Sequence, residues 1–354
     1  MNNILVTRTD RLGDVILSFP VAAALKVHDP AVKVTFLVSE YVAPVVKLCP
    51  WIDDCIAVPR TSETGSLVST LRARAFDAAL CLYPRPELAA ILKRAQIPLR
   101  VGTSRRWYSY RFNRRVRIAR ANSGRHERDL NLESLRGLRQ NSWATIDPLC
   151  TPTQDSMDAV RIMIEKAGVD FEQRASVVIH PGCGGSARNW KPERYRLLCQ
   201  TLLENDLSVI VTGSNVERSL AAEIIGRESG RAISVAGATE LDQLAALLQL
   251  ASVFVGPSTG PMHLAAAVGT PVVALFGPVR NTGPDRWGPL GNGHKVFQPP
   301  VDTCRCRIEH CQLGDCMDMI PVEDVATAVL SAVRKKALQP QTNSGDLPKR
   351  TSRT

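Results

Sequence analysis

Short runs of apolar residues alternate with stretches in which apolar positions recur every three to four residues, over most of the chain. The short runs, bounded by turn formers, read as buried strands, and the longer periodic stretches as amphipathic helices. In the first half the predicted strands are Ile4–Thr7, Lys33–Val38, Cys55–Val58, Asp77–Tyr83 and Arg100–Gly102. Helices are predicted over Asp14–His28, Tyr41–Leu48, Leu67–Arg74, Glu87–Ala95 and Glu127–Leu138. A turn-rich passage, Asp147–Pro152, reads as a linker. The alternation then restarts, with helices over Ser156–Ala167, Pro192–Glu204, Val216–Glu228, Leu241–Gln249 and Val322–Lys336. Its strands are Ser176–His180, Ser208–Thr212, Ala232–Val235, Val253–Val255 and Pro271–Phe276. Strands apolar on both faces and separated by helices require a parallel sheet covered on both sides. The expected class is α/β, with two Rossmann-like, doubly wound domains over residues 1–150 and 151–338. A ligand cleft is expected between them, at the carboxyl ends of both sheets. The polar tail 339–354 is expected to be disordered.

The 354 residues suffice for two domains with cores of their own, and 44% apolar and 22% charged residues describe a soluble globular protein. No uncharged apolar run approaches the roughly 18 residues of a membrane span. The apolar segment Val15–Leu25 follows a strand and an Arg8-Thr9-Asp10-Arg11 turn, with no cleavage signal after it, so a cytoplasmic address is expected. Most of the ten cysteines, Cys81 and Cys199 among them, lie in apolar segments as buried thiols would. Cys304, Cys306, Cys311 and Cys316 form a cluster whose spacing differs from the paired C-x2-C knuckles of structural zinc sites. Thiols in a packed loop are the first reading there, ahead of a bound metal or a redox pair.

The net charge of +10 is concentrated. Between Arg100 and Arg128 stand ten arginines and one acid, Glu127, interleaved with Trp107, Tyr108, Tyr110 and Phe112. This is either a solvated face or a recognition surface for a polyanion. No nucleic-acid-binding module accompanies it, so nucleic acid is not an expected partner.

Candidate chemistry gathers at strand ends. Gly256-Pro257-Ser258-Thr259-Gly260-Pro261 opens directly into a small-residue helix carrying His263. Proline in a first helical turn loses no hydrogen bond, and Ser258 or Thr259 can act as N-cap. Such a helix start favours an anion, here a phosphate. His180-Pro181-Gly182-Cys183-Gly184-Gly185 allows close backbone approach to a ligand, with Arg188 as a permanent cation nearby; a plain surface loop is the alternative. Glu217 is placed either to accept ribose hydroxyls or simply to answer a helix dipole. The first strand runs into Leu12-Gly13-Asp14, which lacks the G-x-G-x-x-G fingerprint of dinucleotide binding. Asp14, like Asp10, could cap the following helix; facing the cleft, Asp14 could instead remove a proton.

With these residues identified, the chain resembles glycosyltransferase family nine, the ADP-heptose:lipopolysaccharide heptosyltransferases. The L-G-D motif matches Leu12-Gly13-Asp14, and D-[ST]-G-x-x-H-L-A-A aligns with Ser258–Ala266. The following P-x-x-x-L-F-G-P matches Pro271 and Leu275–Pro278. The resemblance implies a GT-B fold, the acceptor held by the first domain and the nucleotide-sugar by the second. It implies inverting transfer without a divalent metal or other cofactor, with Asp14 as base. Arg188, Glu217, Ser258, Thr259, Gly260 and His263 would bind the ADP-sugar donor. Arg11, Arg105 and Arg106 would meet an anionic lipopolysaccharide core, and the basic stretch would touch the cytoplasmic face of the inner membrane. Ser258 departs from the family's aspartate, which puts the identity of the donor sugar in question. Two alternatives use the same residues: a nucleotide-sugar epimerase or hydrolase, and a non-catalytic nucleotide-sugar-binding protein.

Overall fold

A computed structural model gives the architecture, describing residues 1–59, 64–120, 123–143, 149–171, 173–185, 187–227, 230–301 and 315–338. Two six-stranded parallel sheets follow one another along the chain. The first contains β1 (Asn3–Thr7), β2 (Lys33–Ser39), β3 (Asp54–Val58), β4 (Ala78–Cys81), β5 (Leu99–Thr103) and β6 (Arg114–Val116) in the order β3-β2-β1-β4-β5-β6. The second contains β7 (Ser176–Ile179), β8 (Ser208–Val211), β9 (Ala232–Ser234), β10 (Val253–Pro257), β11 (Val272–Leu275) and β12 (Lys295–Phe297) in the order β12-β11-β10-β7-β8-β9. The two orders are the same topology. In each, chain direction across the sheet reverses once, between β1 and β4 and between β7 and β10, where Thr7 pairs with Cys81 and Ile179 with Val255. A crevice at the carboxyl ends of such strand pairs is where doubly wound sheets take ligands.

The central strands are buried along their whole length, because helices cover both faces. One apolar cluster runs from Val6, Phe19 and Phe36 of the first sheet's layers to Phe254, Met262 and Phe276 of the second's. The two domains therefore share packed apolar surface. Leu149 and Cys150 N–H both donate to Ala267 O (2.9 Å each), and Thr151 N–H to Leu48 O (2.8 Å), so the end of the expected linker is tied to both halves. Asp147 and Pro148 of that passage, Glu228, Cys304, Cys306, Cys311 and the tail 339–354 lie outside the described residues.

Three expectations change. The helix expected over Asp14–His28 is two helices, Leu12–Ile16 and Phe19–His28. Pro20 lies in the first turn of the second, where its missing N–H costs nothing but where a continuing helix could not accommodate its ring. The arginine-rich stretch contains β6, and β12 is likewise added. Both are three-residue edge strands carrying charged side chains, so no apolar run marks them. The helix expected over Glu127–Leu138 is an α-helix only to Leu132, continuing as a 3-10 turn to Leu138.

Of the described cysteines, Cys49, Cys81, Cys150, Cys199 and Cys316 are buried. Among the described residues no helix is long and apolar enough to cross a membrane.

Candidate active site

The five-residue helix Leu12–Ile16 starts one short loop beyond β1 and carries Asp14 in its first turn. Neither Asp10 nor Asp14 caps it: Arg11 holds the cap position, and no side chain bonds there. The capping reading of these two acids is therefore set aside. Asp14 is instead gripped by Arg8, whose Nη2 donates to Asp14 Oδ1 at 2.5 Å. Arg8 is 3% exposed and uses the rest of its fork as well. Nε donates to Asp10 Oδ1 (2.8 Å), and Nη1 to Glu127 Oε1 (3.1 Å) and Asn131 Oδ1 (3.0 Å). Burial works against the guanidinium's charge, yet the three acids together raise its pKa above the ordinary value. Asp10 is pushed up to about 6, chiefly by burial and further by Asp14, against the pull of Arg8.

Asp14, Asp10 and Arg11 line a cavity of about 760 Å³ at the β1/β4 crevice. Tyr83, Arg105, Arg106 and Arg120 line it from the first domain, and Arg286 and Trp287 from the second. Six arginines and three acids face it, and Arg8, Arg120 and Arg286 engage those acids. Arg11, Arg105 and Arg106 are exposed and make no ion pair with any described residue, which leaves the cavity mouth positive. A second groove of about 390 Å³, lined by Arg114, Arg115, Arg117, Arg136 and Arg139, shares Val116 with the cavity.

The other expected residues form a separate rim along the carboxyl ends of β8, β7, β10 and β11. Glu217 folds over Gly182, where a Cβ would fall 2.0 Å from its Oε1. Its Oε2 accepts from both the N–H and the hydroxyl of Ser214 (2.7 Å each). Burial opposes the charge of Glu217, but these two bonds outweigh it and hold the carboxyl below its usual range. Arg188 packs over Gly277, just beyond β11, where a Cβ would come within 2.7 Å of its Cβ. Thr259 is the N-cap of the Gly260–Ala267 helix, but its hydroxyl turns back to Pro257 O (3.3 Å). The first-turn N–H groups of that helix therefore have no side-chain cap, the condition under which a helix start attracts an anion. Ser258 is half-buried beside it, with its N–H on Leu275 O (3.2 Å).

His263 is 5% exposed, and its Nδ1 is buried without a partner among the described residues. Burial drives its pKa down to about 3, with His126 adding to the effect, so the ring is neutral and offers no cation to a phosphate. It lies against Gly13 of the other domain. The rim and the Asp14 cavity are thus brought together by the contact between the Leu12–Ile16 and Gly260–Ala267 helices.

Sequence reading missed Arg8, Asn131 and Arg286, and it noticed Glu127 only as the one acid among ten arginines. That isolation was the available signal. Among the described residues no group of three or more His, Cys, Asp or Glu is arranged to hold a metal ion.

Two like-wound parallel α/β domains with their strand ends facing a shared crevice make up the GT-B architecture. Residues 64–316 match the profile of glycosyltransferase family 9 (heptosyltransferase), and the chain belongs to that family. A Haemophilus influenzae protein described no further than as a candidate glycosyltransferase is 27% identical over 313 residues, 85% of this chain and 90% of that one. Lipopolysaccharide heptosyltransferase 3 of Escherichia coli K12 is 26% identical over 280 residues, 75% of this chain and 79% of its own. The solved structure of E. coli ADP-heptose lps heptosyltransferase II superposes with a TM-score of 0.79 at 19% identity, covering 95% of this chain and all of that one.

Proposed function

We propose that this protein is an inverting glycosyltransferase that moves a heptose, or a closely related sugar, from an ADP-sugar to the anionic inner core of a lipopolysaccharide. Residues 1–150 hold the acceptor and residues 151–338 the donor. The observation that carries this reading is Asp14, fixed by Arg8 at a cavity with a positive mouth and placed on the helix that packs against the donor-side Gly260–Ala267 helix.

In this reading Asp14 takes the proton of the acceptor hydroxyl as its oxygen attacks the anomeric carbon. The new carbon–oxygen bond forms on the face opposite the breaking bond to the diphosphate, and ADP leaves. Arg188 and the uncapped N–H groups beyond Thr259 and Gly260 take up the charge that grows on the diphosphate, the role a metal ion serves elsewhere. Glu217 orients the ribose, while Ser258 and His263 border the sugar. Arg11, Arg105 and Arg106 draw in the acceptor's phosphates and carboxylates. The five-arginine groove beyond Val116, with exposed Trp107 and Tyr110 beside Arg111, would rest on the anionic cytoplasmic face of the inner membrane. The names of the relatives support the sugar and acceptor classes.

The test is incubation with ADP-heptose and truncated core acceptors, with and without a chelator, followed by mass spectrometry and anomeric NMR of the product. An acceptor heavier by one heptose, of inverted configuration and formed equally with chelator, is expected. Consumption of ADP-heptose with no modified acceptor would point to hydrolysis or epimerisation and overturn the reading.

A further inference from the structure

Glu127 is the first residue of the Glu127–Leu132 helix and is 1% exposed, and three arginines from three segments converge on it. Its two oxygens are divided between the domains. Oε1 accepts from Arg8 (3.1 Å) and from Arg120 of the first domain. Oε2 accepts from Nε and Nη2 of Arg286 (3.3 and 3.0 Å), which belongs to the second. The neighbouring His126 makes a parallel connection. Its Nδ1 accepts the N–H of Arg128 (3.1 Å), so the proton sits on Nε2, which donates to Gly288 O (3.0 Å). Asn131, fully buried, accepts from Arg8 (3.0 Å) and Arg120 (3.1 Å) and donates to Leu17 O (3.0 Å) at the end of the Asp14 helix.

We propose that Glu127 is a positioning residue for Asp14, relaying the presence of Arg286 from the second domain to the Arg8 guanidinium that holds the base. The inference rests on the reading of Asp14 as base. Arg8 is shared among Asp10, Asp14, Glu127 and Asn131, so its fork is a fixed resource. With Arg286 in place, Glu127 commits one oxygen to the second domain and only the other to Arg8 and Arg120. Without Arg286, both oxygens compete for those two arginines, and Arg8 is drawn away from Asp14. The base is then correctly aimed only when the donor-carrying domain is docked.

The experiment compares Arg286→Ala, Arg286→Lys and Glu127→Gln with the wild type in steady-state transfer assays across pH, with thermal unfolding as a control. Arg286 is 22% exposed and Glu127 retains Arg8 and Arg120 after its removal, so Arg286→Ala should fold, with an unfolding temperature lowered less than in Glu127→Gln. Its kcat should fall about 10- to 100-fold with KM for both substrates within about threefold, the signature of a misaimed catalytic group. Arg286→Lys should recover part of the loss, since a lysine returns the charge without the fork. Glu127→Gln should lower kcat and also move the acid limb of its pH profile, because Arg8, Arg120, Arg286 and His126 lie against the charge that it removes, and Arg8 in turn holds Asp10 and Asp14. Arg286→Ala within twofold of wild-type kcat would overturn the proposal. So would a kcat loss that tracks unfolding temperature across the three variants, or a Glu127→Gln pH profile unchanged in shape and position. Asp14→Asn run alongside separates the two readings. Full activity of that variant sinks the base assignment, whereas its inactivity beside a fully active Arg286→Ala sinks only the relay.

Discussion

His263 of the second domain is wedged against Gly13 of the first: a Cβ at Gly13 would lie 2.6 Å from its Cδ2. One residue away, a Cβ at Gly260 would lie 2.9 Å from the Cβ of Leu12. The L-G-D and S-T-G-x-x-H motifs, 246 residues apart at their starts by the numbering of Leu12 and Ser258, are thus two sides of one interdomain contact. Each glycine is small because the other motif occupies its side-chain space.

Gly13→Ala should therefore lose about 1–3 kcal/mol of stability, as overpacking of a filled interior does. His263→Ala removes the obstructing ring, so the double variant should be more stable than the sum of the single losses allows. Denaturant unfolding of the four proteins measures this coupling. Strictly additive losses would show that the two residues do not meet.

Burial also gives stability a pH dependence. His263 and His180 are held neutral, with pKa values pushed down to about 3 and about 4, first by burial. The unfolded chain takes up these protons below the ordinary value near 6.5, and the native state does not. Their stabilisation is complete above pH 6.5 and is lost as pH falls toward 4, at about 1.4 kcal/mol per pH unit for each fully titrating proton. Asp10, raised to about 6, acts in the opposite sense: below about pH 6 the native state takes the proton first, which offsets roughly one histidine. Unfolding free energies measured at intervals between pH 7 and 5 should fall with pH, and more gently in His263→Asn. An identical slope in that variant would count against a buried neutral His263.

Ser258 stands where the family motif carries an aspartate. A carboxylate can accept from two sugar hydroxyls where a serine cannot, and hydrogen bonds to a charged group contribute about 1.5–3 kcal/mol. Ser258→Asp should change the ratio of kcat/KM between ADP-heptose and other ADP-sugars by about tenfold or more. A panel of ADP-sugars assayed with one acceptor reads this directly. An unaltered ranking and ratio would place Ser258 away from the sugar.

The fold was largely legible because buried parallel strands announce themselves as apolar runs. The helix Pro192–Glu204 matches its expected bounds at both ends, with Pro192 opening it. The edge strands β6 and β12 were not legible, since Arg114-Arg115 and Lys295 mask them as polar loop. The site divides in the same way. Glycine-rich turns and Asp14 stand out locally, whereas the network that holds Asp14 is assembled over long distances. Arg8 meets Glu127 across 119 residues and Arg286 meets it across 159, and no spacing rule links such positions. Pro20, at the start of the second helix, is the local signal that the Asp14 helix is a separate five-residue unit.

The most direct measurement is glycosyl transfer by Asp14→Asn set beside its affinity for ADP. Asparagine keeps the size of the side chain but cannot take a proton. Transfer of heptose to a core acceptor, followed by mass spectrometry, should fall by at least about 100-fold. ADP binding by calorimetry should stay within about twofold, since Asp14 belongs to the first domain's Leu12–Ile16 helix, whereas Arg188, Glu217 and the Gly260–Ala267 helix start belong to the second. Undiminished transfer by Asp14→Asn would contradict the assignment of Asp14 as the base.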